Sequence, residues 1–360
     1  MHVAPAAFGA AGLFGGGERY PLELARALAR EVECELVTFG GHPQVVRERG
    51  GLVVRVLRPW LRWRGHPAHP VTPRLCAALA GAEVVHTHHL RSAPSRLAAV
   101  TARARGQRLA VTDHGLGGGG WGGLLPRLFD RFLVVSQFSA ETLRAPPDRT
   151  GVIYGGADPA TYRPDPGTAR AGVLFVGRLT PHKGVDRLLR ALPERAALTV
   201  VGTAGHDPHP PEAGYPALLA ALARGRQVRF LGRASDRQVA ELYRRAAVLV
   251  LPSVWETCYG RRVAVPELLG LAVLEAMASG TPVVCSRLGG LPEVVHDGET
   301  GLLVEPGNVD ELRERIGLLL ADSALAKRLG DNARQLVLER YTWDHCARRC
   351  LAAYSEMLAR

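Results

Sequence analysis

Residues 172–202 read GVLFVGRLTPHKGVDRLLRALPERAALTVVG. Two short apolar runs, Gly172 to Gly177 and Ala197 to Gly202, are bounded by glycine and predict strands. Between them, Gly184 to Leu192 carries a helical pattern. Strand, helix, strand is the unit of a parallel sheet, because parallel neighbours need a crossover between them. The series continues toward the C-terminus with apolar runs at Val228 to Gly232, Val248 to Pro252 and Pro282 to Cys285. Toward the N-terminus, Val53 to Leu57, Glu83 to His86, Arg108 to Thr112 and Arg131 to Val135 read as strands, with helical segments such as Tyr20 to Arg30 between them. The first residues read as a strand running into a glycine-rich loop. Pro146 to Gly172 is dense in Pro and Gly and reads as a linker. The expectation is an α/β protein with two Rossmann-like domains facing each other across a cleft, residues 1–165 and 166–340. A last helix in residues 341–360 follows YTWD, with Asp344 as its cap, and reaches back over the first domain.

Composition bounds the function. The chain has 360 residues, 47% hydrophobic and 22% charged, with no apolar run long enough to span a bilayer. The N-terminus lacks a basic leader, so a cytoplasmic protein is expected. Six scattered cysteines make no disulfide framework; Cys346 and Cys350, beside His345, are a weak metal pattern on a helix. The net charge of +11 is uneven: residues 1–170 hold 21 arginines against 13 acidic residues, a balance of +8. Such an excess attracts nucleic acid, anionic membranes or phosphorylated substrates, unless it only reflects an arginine bias, since Lys183 and Lys327 are the sole lysines.

One apolar stretch, residues 266–280 (PELLGLAVLEAMASG), spends two carboxylates. A buried, unpaired carboxylate costs several kcal/mol or takes up a proton. Leu271 to Ser279 predicts a short helix after Gly270, ended by Gly280. The turn lies beyond the strand at Val248 to Pro252, where parallel sheets bind ligands, and a helix N-terminus there suits phosphate. Glu267 in the turn and Glu275 in the helix each match a pair of vicinal hydroxyls. A nucleotide sugar supplies two such diols flanking a diphosphate. The plainer reading is a helix cap for Glu267 and an arginine partner for Glu275.

The glutamate pair with Gly270 between, followed by EAMASGTPVV and GGLPEVVHDGETGLLV, resembles the donor signature of glycosyltransferase family 4. These are retaining enzymes of the GT-B architecture. The resemblance extends over Gly15 to Arg30, Val84 to His88, Thr112 to Gly115, Val173 to Asp186 and Val248 to Glu305. It implies that Glu267 binds hydroxyls of the transferred sugar and Glu275 the ribose. Backbone around Leu268, Leu269, Gly270 and Leu271 would hold phosphate. In GRLTPHKG, Gly177 ends a strand, and Arg178 and Lys183 can converge on one diphosphate and neutralise the leaving group. Gly16 and Gly17, at a strand-to-helix junction, match the family's GG loop and let backbone approach the donor. His114 takes the place of the active-site histidine, with Asp113 beside it to orient it. His86 and His88 are acceptor-side candidates or packing residues. Zinc on His86, His88 and His114 is the competing reading, without a fourth ligand.

The sequence departs from the family at residues 254–266, an insertion whose Glu256 imitates the motif. Only Glu267 keeps the eight-residue offset to Glu275, and Arg261 or Arg262 would touch the donor if the insertion folds over it. The implied activity is transfer of a hexose from a nucleoside-diphosphate sugar to an acceptor hydroxyl of a sugar, lipid-linked or small-molecule acceptor. No metal and no other cofactor is expected, and no nucleic acid partner. Arg58 to Arg64 (RPWLRWR) suits an anionic membrane surface, hence a peripheral location at its inner face. Competing readings are a sugar-nucleotide epimerase or phosphorylase of the same architecture and a non-catalytic nucleotide-sugar-binding module. A dinucleotide oxidoreductase is disfavoured, because GLFGGGE lacks GxGxxG spacing.

Overall fold

The computed structural model describes residues 1–7, 16–66, 69–114, 123–144, 146–204 and 212–359. The chain divides into two compact units, one of Met1–Gly155 with Trp343–Arg360 and one of Gly156–Thr342.

The first unit is built on an eight-stranded sheet. In chain order its strands are β1 (His2–Ala7), β2 (Glu35–Phe39), β3 (Gln44–Arg47) and β4 (Val53–Leu57). A two-stranded ribbon of β5 (Leu61–Arg62) and β6 (Pro70–Val71) follows. Then come β7 (Val84–His88), β8 (Arg108–Thr112), β9 (Arg131–Val134) and β10 (Thr150–Val152). The order across the sheet is β10-β9-β8-β7-β1-β2-β4-β3. All neighbours are parallel except β3, which pairs antiparallel with β4. The chain winds outward in both directions from the β1/β7 pair, so the carboxyl ends of β1, β7 and β8 form the natural ligand position of this sheet. Helix Gly16–Leu28 lies next after β1, and its first residues are Gly16 and Gly17. The glycines expected in a loop therefore open the helix itself; Gly15 lies outside the described residues.

Helix Trp343–Leu358 belongs to this unit and packs on helix Gly16–Leu28. Trp343 meets the ring of Tyr20 edge-on at 5.1 Å. Asp344 is not the cap expected from the sequence. It sits inside the first turn, where its charge favours the helix N-terminus, and it pairs with Arg30. Arg131 pairs with Glu356 further along.

The second unit holds a six-stranded, wholly parallel sheet: β11 (Val173–Val176), β12 (Leu198–Val201), β13 (Val228–Gly232), β14 (Val248–Leu251), β15 (Val283–Ser286) and β16 (Leu302–Val304). Their order is β13-β12-β11-β14-β15-β16, so the winding reverses between β11 and β14. β14 and β15 are buried at every position, which is why they read as continuous apolar runs. The proline- and glycine-rich stretch before β11 is no solvent linker. Thr150–Val152 within it is a strand, and Arg170 reaches the Ser279 carbonyl at 2.7 Å and the Thr281 hydroxyl at 2.8 Å.

Candidate functional site

In the second unit the expected donor residues gather at the carboxyl ends of β11 and β14. Gly177 and Arg178 follow β11, and Arg178 is exposed. The chain then makes a short 3-10 turn at Pro181–Lys183 and enters helix Val185–Ala191 through Gly184. Gly184 has φ +70°, and a Cβ there would fall 2.0 Å from the Pro252 carbonyl oxygen. That close approach clamps the loop to the end of β14. The Val254 amide donates to the His182 carbonyl at 2.9 Å and completes the clamp.

Glu267 sits opposite. Its Oε2 accepts from Lys183 Nζ at 2.5 Å, with both side chains only 12–13% exposed. Gly289, at φ +58°, lies so close to the Glu267 carbonyl that a Cβ would come within 2.0 Å of its oxygen. Helix Leu271–Ala278 starts at Gly270, which is left-handed and supplies no side-chain cap. The first amides of a helix have no intrahelical partner, so this end can donate to an anion. Leu269 and Gly270 are buried, while Leu268 and Leu271 are half-buried. Glu275 is 6% exposed and its Oε2 accepts from the Tyr243 hydroxyl at 3.1 Å. Glu267 does not cap the helix but meets Lys183, and a tyrosine is among the partners of Glu275.

The inserted residues form a small turn of their own. Val263 N donates to Trp255 O at 2.8 Å and Thr257 N to Arg261 O at 3.0 Å. Glu256 is exposed on it, and Arg261 pairs with Glu212 at 2.5 Å. His182, which the sequence reading passed over, lies on the same turn as Lys183. Burial first, then Lys183, Arg178 and Arg261, push its pKa down to about 3. Its imidazole is therefore neutral. Glu267 in turn raises the thiol of Cys285, after the larger effect of burial.

In the first unit the expected residues lie at the carboxyl ends of β7 and β8. His86 and His88 are fully buried, Asp113 is 8% exposed, and His114 follows. His88 Nδ1 lies 3.0 Å from His114 Nε2, with the rings stacked at 5.3 Å. His88 Nε2 lies 3.1 Å from Nδ1 of His2, a residue that carries no sequence signal. His86 bonds Tyr354 of the last helix at 2.5 Å and Thr112 at 2.8 Å. Gly17 packs on this group: a Cβ would come 3.4 Å from the His114 Cβ and 3.5 Å from the His89 ring. His89 holds φ +63°, strained backbone beside a ligand position. Burial is the first cause that holds His2, His86, His88 and His114 well below the usual histidine pKa, so all four rings are neutral.

The metal expectation shifts accordingly. The nitrogens of His2, His86 and His88, not the trio with His114, lie within 4.8 Å of one another. Each of those six nitrogens already has a hydrogen-bond partner within 3.4 Å. All six cysteines are unpaired as disulfides, and Cys346 is spent on Tyr20 at 3.1 Å.

Two α/β units, each gathering polar side chains at the carboxyl ends of its central strands, define a class of protein that binds ligands at those ends. The comparisons agree. The "Glycosyltransferase Family 4" profile matches residues 14–161, and "Glycosyl transferases group 1" matches residues 166–336. A D-inositol 3-phosphate glycosyltransferase of Mycobacterium sp. (strain JLS) is 31% identical over 89% of this chain and 81% of its own length. An uncharacterized glycosyltransferase of Methanocaldococcus jannaschii is 32% identical over 60% of this chain, a match spanning 57% of that protein. In fold, the chain is similar to the Anabaena protein HepE in complex with UDP-glucose, with a TM-score of 0.76 and 19% identity, covering 99% of this chain and 100% of that one. The chain belongs to glycosyltransferase family 4 and has the GT-B type of fold. It is a glycosyltransferase by family, not a dinucleotide oxidoreductase. Among the described residues, no helix is long and apolar enough to cross a membrane.

Proposed function

We propose that the protein is a retaining transferase that moves a hexose from a nucleoside-diphosphate sugar to an acceptor hydroxyl, without a metal. The observation that carries this reading is the Lys183–Glu267 contact beside the uncapped start of helix Leu271–Ala278. In the ligand-free protein the two side chains satisfy each other. With donor present, Lys183 turns to the diphosphate together with Arg178 and the helix amides, and Glu267 accepts from hydroxyls of the hexose. Glu275 takes the ribose, and His114 the transferred sugar. The bond from the anomeric carbon to the diphosphate oxygen breaks. The acceptor oxygen bonds that carbon on the same face, and its proton passes to the leaving phosphate. Cations and amides stabilise the charge that develops there, the work a metal does elsewhere. The UDP-glucose held by the HepE structure is the kind of donor this reading calls for.

The test is a thermal-shift screen against UDP, GDP, ADP and their sugars, followed by NMR of the product. One nucleotide sugar should stabilise the protein, and the anomeric configuration should be retained in the presence of EDTA. An inverted product, or strict dependence on Mg²⁺, overturns the reading.

A second observation bears on location. On the β5/β6 ribbon and the residues before it, Trp60, Leu61 and Trp63 are 71%, 52% and 60% exposed, amid Arg58, Arg62 and Arg64. Exposed indole rings with guanidinium groups between them match the interface of an anionic bilayer. This supports a cytoplasmic enzyme docked at the inner face of the membrane, serving a lipid-linked or cell-surface acceptor. Co-sedimentation with vesicles containing phosphatidylglycerol should occur and fail in Trp60→Ser/Trp63→Ser; no binding at low salt ends the idea.

A further inference from the structure

The first unit contains an unbroken line of ring nitrogens. His114 Nε2 faces His88 Nδ1 at 3.0 Å, His88 Nε2 faces His2 Nδ1 at 3.1 Å, and His2 Nε2 faces the Tyr354 hydroxyl at 3.4 Å. Tyr354 then meets His86 Nδ1 at 2.5 Å, and His86 Nε2 meets the Thr112 hydroxyl at 2.8 Å. His2, His86 and His88 are 2% exposed or less. The His88–His2 and His86–Thr112 bonds are buried, and those to His114 and Tyr354 are part-buried.

A neutral imidazole has one N–H and one lone pair. Two facing nitrogens bond only if one carries the proton and the other does not. Along this line the constraint propagates. If His114 is protonated at Nδ1, its Nε2 accepts, so His88 must donate from Nδ1 and accept at Nε2. His2 must then donate from Nδ1 and accept at Nε2 from the Tyr354 hydroxyl. The tyrosine oxygen is left to accept from His86 Nδ1, and His86 Nε2 accepts from Thr112. Reversing every bond gives a second consistent arrangement, with all four histidines protonated at Nε2. Because a hydroxyl oxygen can accept twice, a third has Tyr354 accept from both His2 Nε2 and His86 Nδ1 with its own proton turned to Cys350, so the constraint ties His114, His88 and His2 together but not His86. A mixed arrangement among His114, His88 and His2 breaks at least one bond, leaving either two protons or two lone pairs face to face, which costs the desolvation of both groups.

We propose that His2, His88 and Tyr354 are positioning residues that set which nitrogen of His114 carries its proton, and hence whether the nitrogen outside the chain, Nδ1, donates to or accepts from the bound sugar. The tie to sugar rests on the reading of His114 given above; the chain itself does not. Its middle link, Tyr354, lies on helix Trp343–Leu358, so that helix acts on the same ring as the second residue of the chain.

The test is histidine-¹⁵N NMR of the full-length protein, reading the tautomer of each ring, with assignment by single substitution. The wild-type protein should show His2, His88 and His114 in one common tautomer. Tyr354→Phe removes the hydroxyl that joins the two arms, and it should change or mix the His114 tautomer although Tyr354 lies three links away. In the same variant, kcat for transfer should fall by about three- to tenfold with the donor KM nearly unchanged, the factor expected for one ordinary hydrogen bond. Mixed tautomers among His2, His88 and His114 in the wild-type protein overturn the proposal without any variant. So does a His114 spectrum indifferent to both Tyr354→Phe and His2→Leu, and so does stoichiometric metal in the purified protein. A common tautomer with unaltered kcat in Tyr354→Phe sustains the chain and removes the role given to His114.

Discussion

Removing Lys183 is the most informative perturbation of the second unit. Its ammonium lies 2.5 Å from Glu267, and the side chains are 13% and 12% exposed. An exposed pair contributes roughly 0–1 kcal/mol. Stripping one partner from a fully buried pair costs roughly 3–5 kcal/mol, because the other charge is left without compensation. A pair with about one-eighth of its surface wet falls between these limits, so Lys183→Met should cost about 2–3 kcal/mol. For a folding unit of this size that lowers Tm by about 4–12 °C. Glu267→Gln alone strands the ammonium in the same way. The double variant Lys183→Met/Glu267→Gln strands neither, and it should regain about 1–2 kcal/mol relative to the sum of the single losses. Differential scanning calorimetry of the four proteins yields the coupling directly. A coupling within about 0.3 kcal/mol of zero refutes the claim that the two charges compensate each other in the ligand-free state. The donor adds a second arm. A nucleotide sugar that raises Tm of the wild-type protein should leave Lys183→Met unmoved.

Gly289→Ala should abolish donor binding while leaving the first unit's spectra intact, since its Cβ would press to 2.0 Å from the Glu267 carbonyl oxygen at φ +58°; unchanged donor affinity by calorimetry counts against the turn as a mould for Glu267. His182→Gln should flatten the acid limb of stability. The folded pKa of His182, about 3, lies below its unfolded value of 6.5, so the unfolded chain binds the extra proton. Stability from this group is complete above pH 6.5 and is lost as pH falls toward 3; urea titrations at pH 7 and 4.5 should therefore show a smaller difference in the variant than in the wild-type protein. Gly17→Leu should slow transfer more than it weakens donor binding, because the added side chain meets His114 and His89; equal losses in kcat and donor affinity, read by steady-state kinetics, would place Gly17 elsewhere in the reaction.

Much of the fold could be read along the chain. The runs at 53–57, 108–112 and 228–232 coincide with β4, β8 and β13, and 343–358 with the last helix. β4 and β8 are buried at most positions and leave apolar runs, while β13 is a largely exposed edge strand whose run still reads. β3, an exposed edge strand too, has only two valines between Gln44 and Arg47. β10 and β16 were passed over because three residues are too few to show a period. The motif at 266–280 also announced itself, because two acids in an apolar stretch contradict their surroundings unless something satisfies them.

What sequence alone determined is therefore the alternation of strand and helix, the family, and the residue types gathered at each strand end. It could not say which partners those residues take. Lys183 and Glu267 are 84 positions apart, and His2 and Tyr354 are 352 apart. Periodicity reports a residue's exposure to its own strand or helix, through interactions a few positions long. A hydrogen bond between side chains depends on which strands become neighbours, and that order, β1 beside β7 and β11 beside β14, is decided only when the sheets assemble. The proton positions of a histidine chain, the identity of the acid that meets the lysine, and the helix that closes the first unit all follow from that assembly.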